Sequence, residues 1–340
     1  MRFGIIGAGM IAEFHAKAIA AISGASLDAI YARRADAAED LAARHGCAAY
    51  SDLDVFLAHP GLEVVTICTP SGAHLEPVIA AARAGKHVIC EKPLEVTVDR
   101  IDEMIAACDD AGVGLAGIFP RRFSPATAHL KAAVDSGRFG RISLVEATIK
   151  WWRTQAYYGS GAWRGTWDLD GGGALMNQSI HTIDLLVHLM GDADHVQADA
   201  ALRAHSDIEV EDTAAAIMRF QGGALGVVQG STACWSAGGH PAEIHICGEH
   251  GSVFMSDDKF RVWEFAEESS TDQDIRLEFA AGGAGAGAAD PSAIDFSGHQ
   301  RNFEDALSAL KEGRSPSVDG HEARRSVALI QAIYKAASKV

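Results

Sequence analysis

The sequence offers little that would hold it in a membrane, on a nucleic acid or in a disulfide framework. No apolar run reaches the roughly 18 residues that read as a membrane-spanning helix. Basic residues are scarce: 29 Lys and Arg stand against 45 Asp and Glu, a formal charge of −16. That excess disfavours nucleic acid or an anionic membrane as a partner. It leaves an anionic cofactor open, because local N–H groups and arginines decide such binding. The six cysteines (Cys47, Cys68, Cys90, Cys108, Cys234 and Cys247) show neither a C-x-x-C pair nor metal-ligand spacing, so no metal site is expected. Several lie in apolar runs, such as Thr66-Ile-Cys68 and Val88-Ile-Cys90, and read as buried reduced thiols. An apolar strand from Arg2 leaves no room for a secretory leader, and the expected location is the cytoplasm.

What is present begins at once. Apolar residues make up 48% of the 340, enough for two domains with a core each. The strand at 2–6 runs into a turn with Gly7 and Gly9 and then a helix to about residue 21, with Ala12 in the third place of a G-x-G-x-x-G/A pattern. Gly7 allows the tight turn, Gly9 the close approach of a pyrophosphate, and Ala12 close helix–strand packing, while the helix start turns N–H groups toward an anion. Strands at 27–31, 63–68, 87–90 and 114–118 alternate with helices to about 45 and over 73–84 and 98–110. That alternation predicts a doubly wound parallel sheet, with ligands beyond the carboxyl ends of its strands. The candidates there are Gly7, Gly9, Met10 and Ile11; Ala32, Arg33 and Arg34; Thr69, Pro70 and His74; and Glu91, Lys92 and Pro93. The second strand ends in Tyr31-Ala-Arg-Arg34 where an acidic residue would hold a ribose diol. Two guanidinium groups suit a 2′-phosphate, so NADP(H) is expected in preference to NAD(H); solvation of the next helix is the plainer role for the same arginines.

Two further segments, Glu91-Lys92-Pro93 after a short apolar strand and Gly171-Gly-Gly-Ala-Leu-Met-Asn-Gln-Ser-Ile-His181-Thr-Ile-Asp184, join the opening Gly-Ala-Gly. Together with Thr69-Pro70, His74, Glu211-Asp212-Thr213 and the stretch from Pro316 to Gly320, they make the chain resemble the Gfo/Idh/MocA family of sugar and cyclitol oxidoreductases over nearly its whole length. The resemblance implies an α/β protein: an N-terminal Rossmann domain over 1–120, then an α/β domain over 121–340 with a large, open, mostly antiparallel sheet. In that reading the C-terminal helix is free to pack back on the first domain. The residues agree: 142–152, 213–220, 224–231, 243–247, 252–256 and 275–279 read as strands, and Gln221-Gly-Gly223 as a hairpin turn. Residues 281–289 read as a Gly/Ala surface loop, and 299–312 and 321–339 as amphipathic helices. The family's open sheet face implies a homodimer or homotetramer.

Hydride transfer at an alcohol carbon needs one group to move the hydroxyl proton and one to stabilise the oxygen. The resemblance assigns these roles to Lys92 and His181, which also count as substrate-binding. On a helix over 174–190, Asn177, His181, Asp184 and His188 share one stripe. Asn177 stands where many relatives have aspartate, and a neutral amide is expected to bind substrate only. Asp184 is placed equally well to orient the imidazole or to form a structural ion pair. Between Trp151 and Asp170, arginines and aromatic rings suit a carbohydrate; Tyr158 and Arg164 are the expected contacts, with one or both of Trp151 and Trp152 packing on the sheet. Arg122 fits a ligand contact or a surface ion pair. The leading expectation is an NADP-preferring oxidoreductase of a sugar, sugar derivative or cyclitol; an NAD-dependent glycoside hydrolase using transient oxidation, and a non-catalytic cofactor-binding regulator, are the competing ones.

Overall fold

Short apolar runs at the start of the chain become strands buried on both faces, as a parallel sheet requires. The computed structural model describes residues 1–281 and 296–337. It divides into two units, Met1–Pro120 with Asp295–Arg324 and Arg121–Ile294 with Arg325–Val340. In the first, β1 (Arg2–Ile6), β2 (Ser26–Tyr31), β3 (Ala48–Tyr50), β4 (Val64–Ile67), β5 (His87–Cys90) and β6 (Leu115–Gly117) pair in the order β3-β2-β1-β4-β5-β6, all parallel. This is the doubly wound dinucleotide-binding order, which reverses direction between β1 and β4. Helices α1 (Met10–Ala21), α2 (Ala35–His45), α3 (Leu53–Leu57), α4 (Leu75–Arg83) and α5 (Val98–Ala111) make the connections. Asp52 and Thr97 cap α3 and α5 by accepting from Val55 N and Arg100 N. Phe3, Ile5, Ala12, Ile19 and Ile89 form a core closed from the chain's other end by Phe303 and Leu307 of the helix Ser297–Glu312. Burying such side chains contributes roughly 1.5–3 kcal/mol each for the larger ones. The three-residue β3 and five-residue α3 were not anticipated.

Among the described residues the second unit has seven strands: β7 (Ile142–Lys150), β8 (Ala193–Ala201), β9 (Thr213–Phe220), β10 (Leu225–Ser231), β11 (Glu243–Gly248), β12 (Gly251–Ser256) and β13 (Lys259–Phe265). Their order is β13-β12-β11-β7-β10-β9-β8, antiparallel except for β10 on β7. The mostly antiparallel expectation holds, and so does the hairpin turn: Gly223 lies at φ 87° and donates to Phe220 O between β9 and β10. Along β9 alternate residues are buried, with Ala214, Ala216, Met218 and Phe220 inward and Ile217 turned out. Helices α6 (Pro125–Asp135), α7 (Gln155–Gly159), α8 (Ile180–Met190) and α9 (Asp272–Glu278) also belong to the unit, as does the part of the helix Gly320–Ala337 from Arg325 on.

Two expectations are corrected. The strand expected at 275–279 is helical, because α9 carries Asp272 and Asp274 in its first turn and sets Ile275 and Phe279, four apart, on its buried side. Alternation of Ile275, Leu277 and Phe279 imitates a strand, but Leu277 is 71% exposed. The helix expected from residue 174 opens as a π-turn over Ala174–Ser179, in which the Ser179 hydroxyl donates to Ala174 O at 2.6 Å. The Gly/Ala loop at 281–289 lies outside the described residues beyond Ala281.

A Cβ on Gly173, which starts that π-turn, would stand 1.9 Å from Glu211 O and 2.9 Å from Val210 Cγ2. Gly222, in the hairpin turn, has nothing within 4 Å. Gly173→Ala is expected to lower unfolding free energy in urea by about 3 kcal/mol, and Gly222→Ala to change it by no more than about 0.5 kcal/mol.

Candidate active site

In the first unit, the turn after β1 holds Gly7 at φ 108°, where a Cβ would meet Cys68 O at 2.6 Å; only glycine fits there. Gly9 starts α1 with no side-chain cap, and a Cβ on it would meet nothing within 4 Å. That open space beside uncapped N–H groups fits a dinucleotide pyrophosphate. Met10 is exposed, Ile11 half-buried, and Ala12 fully buried in the core. After β2, Arg33 and Arg34 are exposed and no carboxylate ends the strand; Arg34 lies 3.5 Å from Asp36.

After β4 and β5 come two loops, and one imidazole ties them together. His74 sets Nε2 2.9 Å from Thr69 O and Nδ1 3.0 Å from both Pro93 O and Leu94 O. Thr69 Oγ1 donates to Ala73 O, closing the Pro70 turn. Lys92 is half-buried, and its backbone N–H donates to Glu91 Oε2 at 3.0 Å. The other Glu91 oxygen lies 2.8 Å from His15 Nε2 and 3.6 Å from His299 Nε2. Burial works to raise the Glu91 carboxyl, yet the hydrogen bond from His15 and the nearby His299 imidazole hold it well below the usual carboxylate range. Burial pushes the His15 imidazole down, so a neutral ring donates to Glu91 and accepts from Thr66 Oγ1 at 2.7 Å. His15, Glu91 and His299 are ligand types gathered within 4.8 Å, and the 2.8 Å His15–Glu91 approach is that of a hydrogen bond. Burial lifts the Cys68 and Cys90 thiols well above their ordinary range, which suits inert core groups.

The second unit carries the histidine. Asn177 and His181 are half-buried, whereas Asp184, expected on the same stripe, is buried. Of the two roles open to Asp184, the structure shows the ion pair: Arg122 Nε and Nη2 reach its two oxygens at 2.8 and 2.7 Å. That pair is buried rather than at the surface. The Gly171–Gly173 run is pinned by Glu211, which accepts from Gly173 N at 3.0 Å, Leu175 N at 2.8 Å and the Tyr334 hydroxyl at 2.9 Å. Burial pushes the Glu211 carboxyl up to about 7 despite those donors. Asp212 accepts from the backbone N–H groups of Arg203, Ala204 and His205, and His205 Nε2 reaches Arg153 O at 2.8 Å. Thr213 then bonds Ser231 Oγ, so three consecutive residues each brace a different segment.

Asn177 donates its amide to Asp170 Oδ1 and accepts from Gln178 Nε2 at 2.7 Å. Tyr158 is 5% exposed, with its hydroxyl on Thr232 Oγ1 at 2.8 Å and its ring against His205. Its neighbour Tyr157 instead meets Arg164 and Gln178 through its hydroxyl. Arg164 also lines a cavity of about 560 Å³ with Tyr158, Asp207 and Glu209. Tyr157, Arg153, Gln178 and Asp170 were not picked out from the sequence; the Tyr-Tyr pair beside two arginines was the signal, and only side-chain direction separates its members.

Residues 1–117 match the family description "Oxidoreductase family, NAD-binding Rossmann fold", and residues 127–254 match "GFO/IDH/MocA C-terminal domain". The chain is 33% identical to the myo-inositol 2-dehydrogenase of Thermotoga maritima over 75% of each protein. It is 33% identical to the WlbA dehydrogenase of Bordetella pertussis, solved with NADH and UDP-GlcNAcA, covering 100% of this chain and 96% of that one at a TM-score of 0.89. Levoglucosan dehydrogenase, solved with NADH and levoglucosan, is 26% identical, covering 100% and 97% at a TM-score of 0.83. The fold and its dinucleotide cradle thus define a nicotinamide-dependent oxidoreductase. Within that class, the chain belongs to the Gfo/Idh/MocA family.

Glu211 gives the site a measurable pH signature. Its folded pKa of about 7 exceeds the ordinary carboxyl value of about 4.5, so its contribution to stability is present below about 4.5 and lost as pH rises through 7. Glu211→Gln cannot ionise. The unfolding free energy of this variant relative to wild type is therefore expected to rise between pH 5 and pH 8, by about 3 kcal/mol at most. A flat difference across that range would refute the assignment.

Proposed function

We propose that this oxidoreductase transfers a hydride between nicotinamide and a hydroxyl-bearing carbon of a monosaccharide, sugar derivative or cyclitol. The observation that carries the reading is the way the chain anchors the two reactive side chains. Lys92 follows a carboxylate held by two histidines, and His181 follows a glycine run held by Glu211. The relatives support the substrate class: one is named for myo-inositol, another was solved with levoglucosan.

A nicotinamide dinucleotide held by that cradle would supply the hydride acceptor, or the donor in the reverse direction. In the oxidative direction the C–H electron pair leaves as hydride, the O–H proton passes to His181, and the C–O bond becomes a carbonyl. The Lys92 ammonium donates to that oxygen and stabilises its developing charge. His181 suits the proton transfer because an imidazole can accept a proton at one ring nitrogen and return it. Asn177, Arg164 and Tyr158 are assigned to the substrate side. Gly7, Gly9, Met10, Ile11, Arg33, Arg34, Thr69 and Pro70 are assigned to the cofactor side, with Ala12, His74 and Glu91 as the buried residues that position those loops.

We read the cofactor as NADP(H) in preference to NAD(H), on the absence of a carboxylate at the end of β2 and the two exposed guanidinium groups there. The protein is further read as a cytoplasmic homo-oligomer, with six free thiols and an outer sheet face exposing Ile217 and Leu225.

Lys92→Ala and His181→Ala are each expected to lower turnover by about 10²–10⁴-fold while cofactor affinity, read by fluorescence titration, changes little. Normal turnover in either variant would overturn the role given to that residue. In the same titration NADPH is expected to bind tighter than NADH, and Arg33→Ala to narrow the gap; equal or tighter NADH binding would refute the preference.

A further inference from the structure

Around Asn177, the second unit orders a run of side chains whose hydrogen bonds all point one way. A guanidinium only donates, so the group that takes Arg153 Nε–H at 3.0 Å is the Gln178 carbonyl oxygen, Oε1. That choice turns Gln178 Nε2 the other way, where it donates to Tyr157 Oη and to Asn177 Oδ1, each at 2.7 Å. With its oxygen so placed, Asn177 offers Nδ2 to Asp170 Oδ1. Asp170 ends the run as a carboxylate, which only accepts, and its second oxygen takes Gly165 N at 2.8 Å.

The Asn177 amide is thereby oriented from both ends. A carboxamide turns about a broad, roughly two-fold torsion, so its oxygen and nitrogen can exchange places at little intrinsic cost. Here the exchanged form sets Oδ1 against an Asp170 oxygen and Nδ2 against Gln178 Nε2. Two hydrogen bonds would give way to two contacts of like polarity. Burial sharpens the difference, since Asp170 is 1% and Gln178 8% exposed.

A sugar or cyclitol hydroxyl both donates and accepts, so it does not select between the two orientations of an amide. The protein must do so if the hydroxyl is to be held in one direction. A carboxylate at position 170 fits that task. Its two oxygens serve donors on different segments, Asn177 and Gly165, whereas an amide there has one acceptor and would forfeit one of them. The backbone beneath is fixed as well, because Asp170 N and Gly171 N both donate to Thr166 O at 3.1 Å.

We propose that Asp170 is a positioning residue for the substrate side of the site, holding Asn177 in the one orientation that meets the substrate. Gln178 completes the hold from the opposite end, and Arg153 decides which way Gln178 faces. Asp170 acts through Asn177 and has no need to touch the substrate. The inference rests on the redox reading above and adds to it the origin of the hydrogen-bond polarity that a substrate hydroxyl meets.

Asn177 and Asn302 are the only asparagines in the sequence, so labelling with 15N-asparagine gives two side-chain amide signals. Asn302 donates to the neutral Gly117 O at 3.2 Å and serves as an internal reference. One Asn177 amide proton is expected further downfield than either proton of Asn302, as a charge-assisted hydrogen bond requires, and Asp170→Asn is expected to remove that shift. Reduction of NADP+ and NAD+ is then followed with myo-inositol, levoglucosan, D-glucose and D-glucuronate for wild type, Asp170→Asn, Asn177→Ala and the double variant. Each single variant is expected to lower kcat/KM for the best substrate about tenfold or more, chiefly through KM. The double variant is expected to fall no further than Asn177→Ala, which a merely structural role for Asp170 would not produce. Losses that multiply in the double variant, wild-type kinetics in Asp170→Asn, or an Asn177 amide without the downfield shift would each overturn the proposal. The last readout uses the wild-type enzyme and stands even where Asp170→Asn does not fold. Absence of nicotinamide reduction with all four compounds would refute the redox reading, while the amide signal still decides whether Asp170 holds Asn177. Multiplying losses with reduction intact would do the reverse.

Discussion

A carboxylate can be taken out of water only where donors meet its oxygens, and this protein uses that requirement to shape both of its functional segments. Glu91, Glu95, Glu211 and Asp212 are all buried, and each accepts from at least one backbone N–H in a turn or at the start of a helical segment. Glu91 and Glu95 flank the Lys92-Pro93 turn, with Arg100 answering the charge of Glu95 at 3.0 Å. Glu211 and Asp212 are adjacent in sequence and hold two separate segments that precede them in the chain, residues 173–175 and residues 203–205. Glycine-rich turns are cheap to bend but have nothing of their own to keep them bent. The acids provide that fixation, and leaving any one of them without its donors would cost more than an ordinary lost hydrogen bond.

The same economy explains the histidines. Among the fifteen in the sequence, several that sit close to the site are structural links rather than chemical participants. His74 joins two loops through both ring nitrogens, His15 carries a bond from Thr66 to Glu91, and His205 passes support from Asp212 to Arg153. The histidine given a chemical role, His181, sits half-buried on α8 instead. Burial therefore separates the two kinds where residue type does not.

Much of this was readable in advance where local chemistry and long-range structure agree. Gly7, Gly9 and Ala12 announce the cradle because the turn at Gly7 admits only glycine, Ala12 packs fully buried in the core, and Gly9 leaves open space at the helix start, and the parallel strands announce themselves by apolar runs. The misreadings fall where a short pattern has two solutions. Alternating Ile275, Leu277 and Phe279 suits a strand until the acidic first turn of α9 is weighed. Three residues at Ala48–Tyr50 are too few to register as a strand, yet pairing with β2 makes them one. Tyr157 and Tyr158 are equivalent in sequence, and only the turn of α7 decides which one faces Thr232. Asp184 and Arg122, 62 positions apart, meet only in the fold.

The π-turn at Ala174–Ser179 has an evolutionary consequence. A π-turn holds one residue more than the α-helical path across the same span, so it behaves as a lodged insertion within the helix. Deleting one residue there would relax it to α geometry and swing everything upstream by about 100° about the axis relative to α8. Asn177 and the glycine run would then face away from their present neighbours. Descendants of this gene can exchange side chains in the segment, but its length is closed to drift.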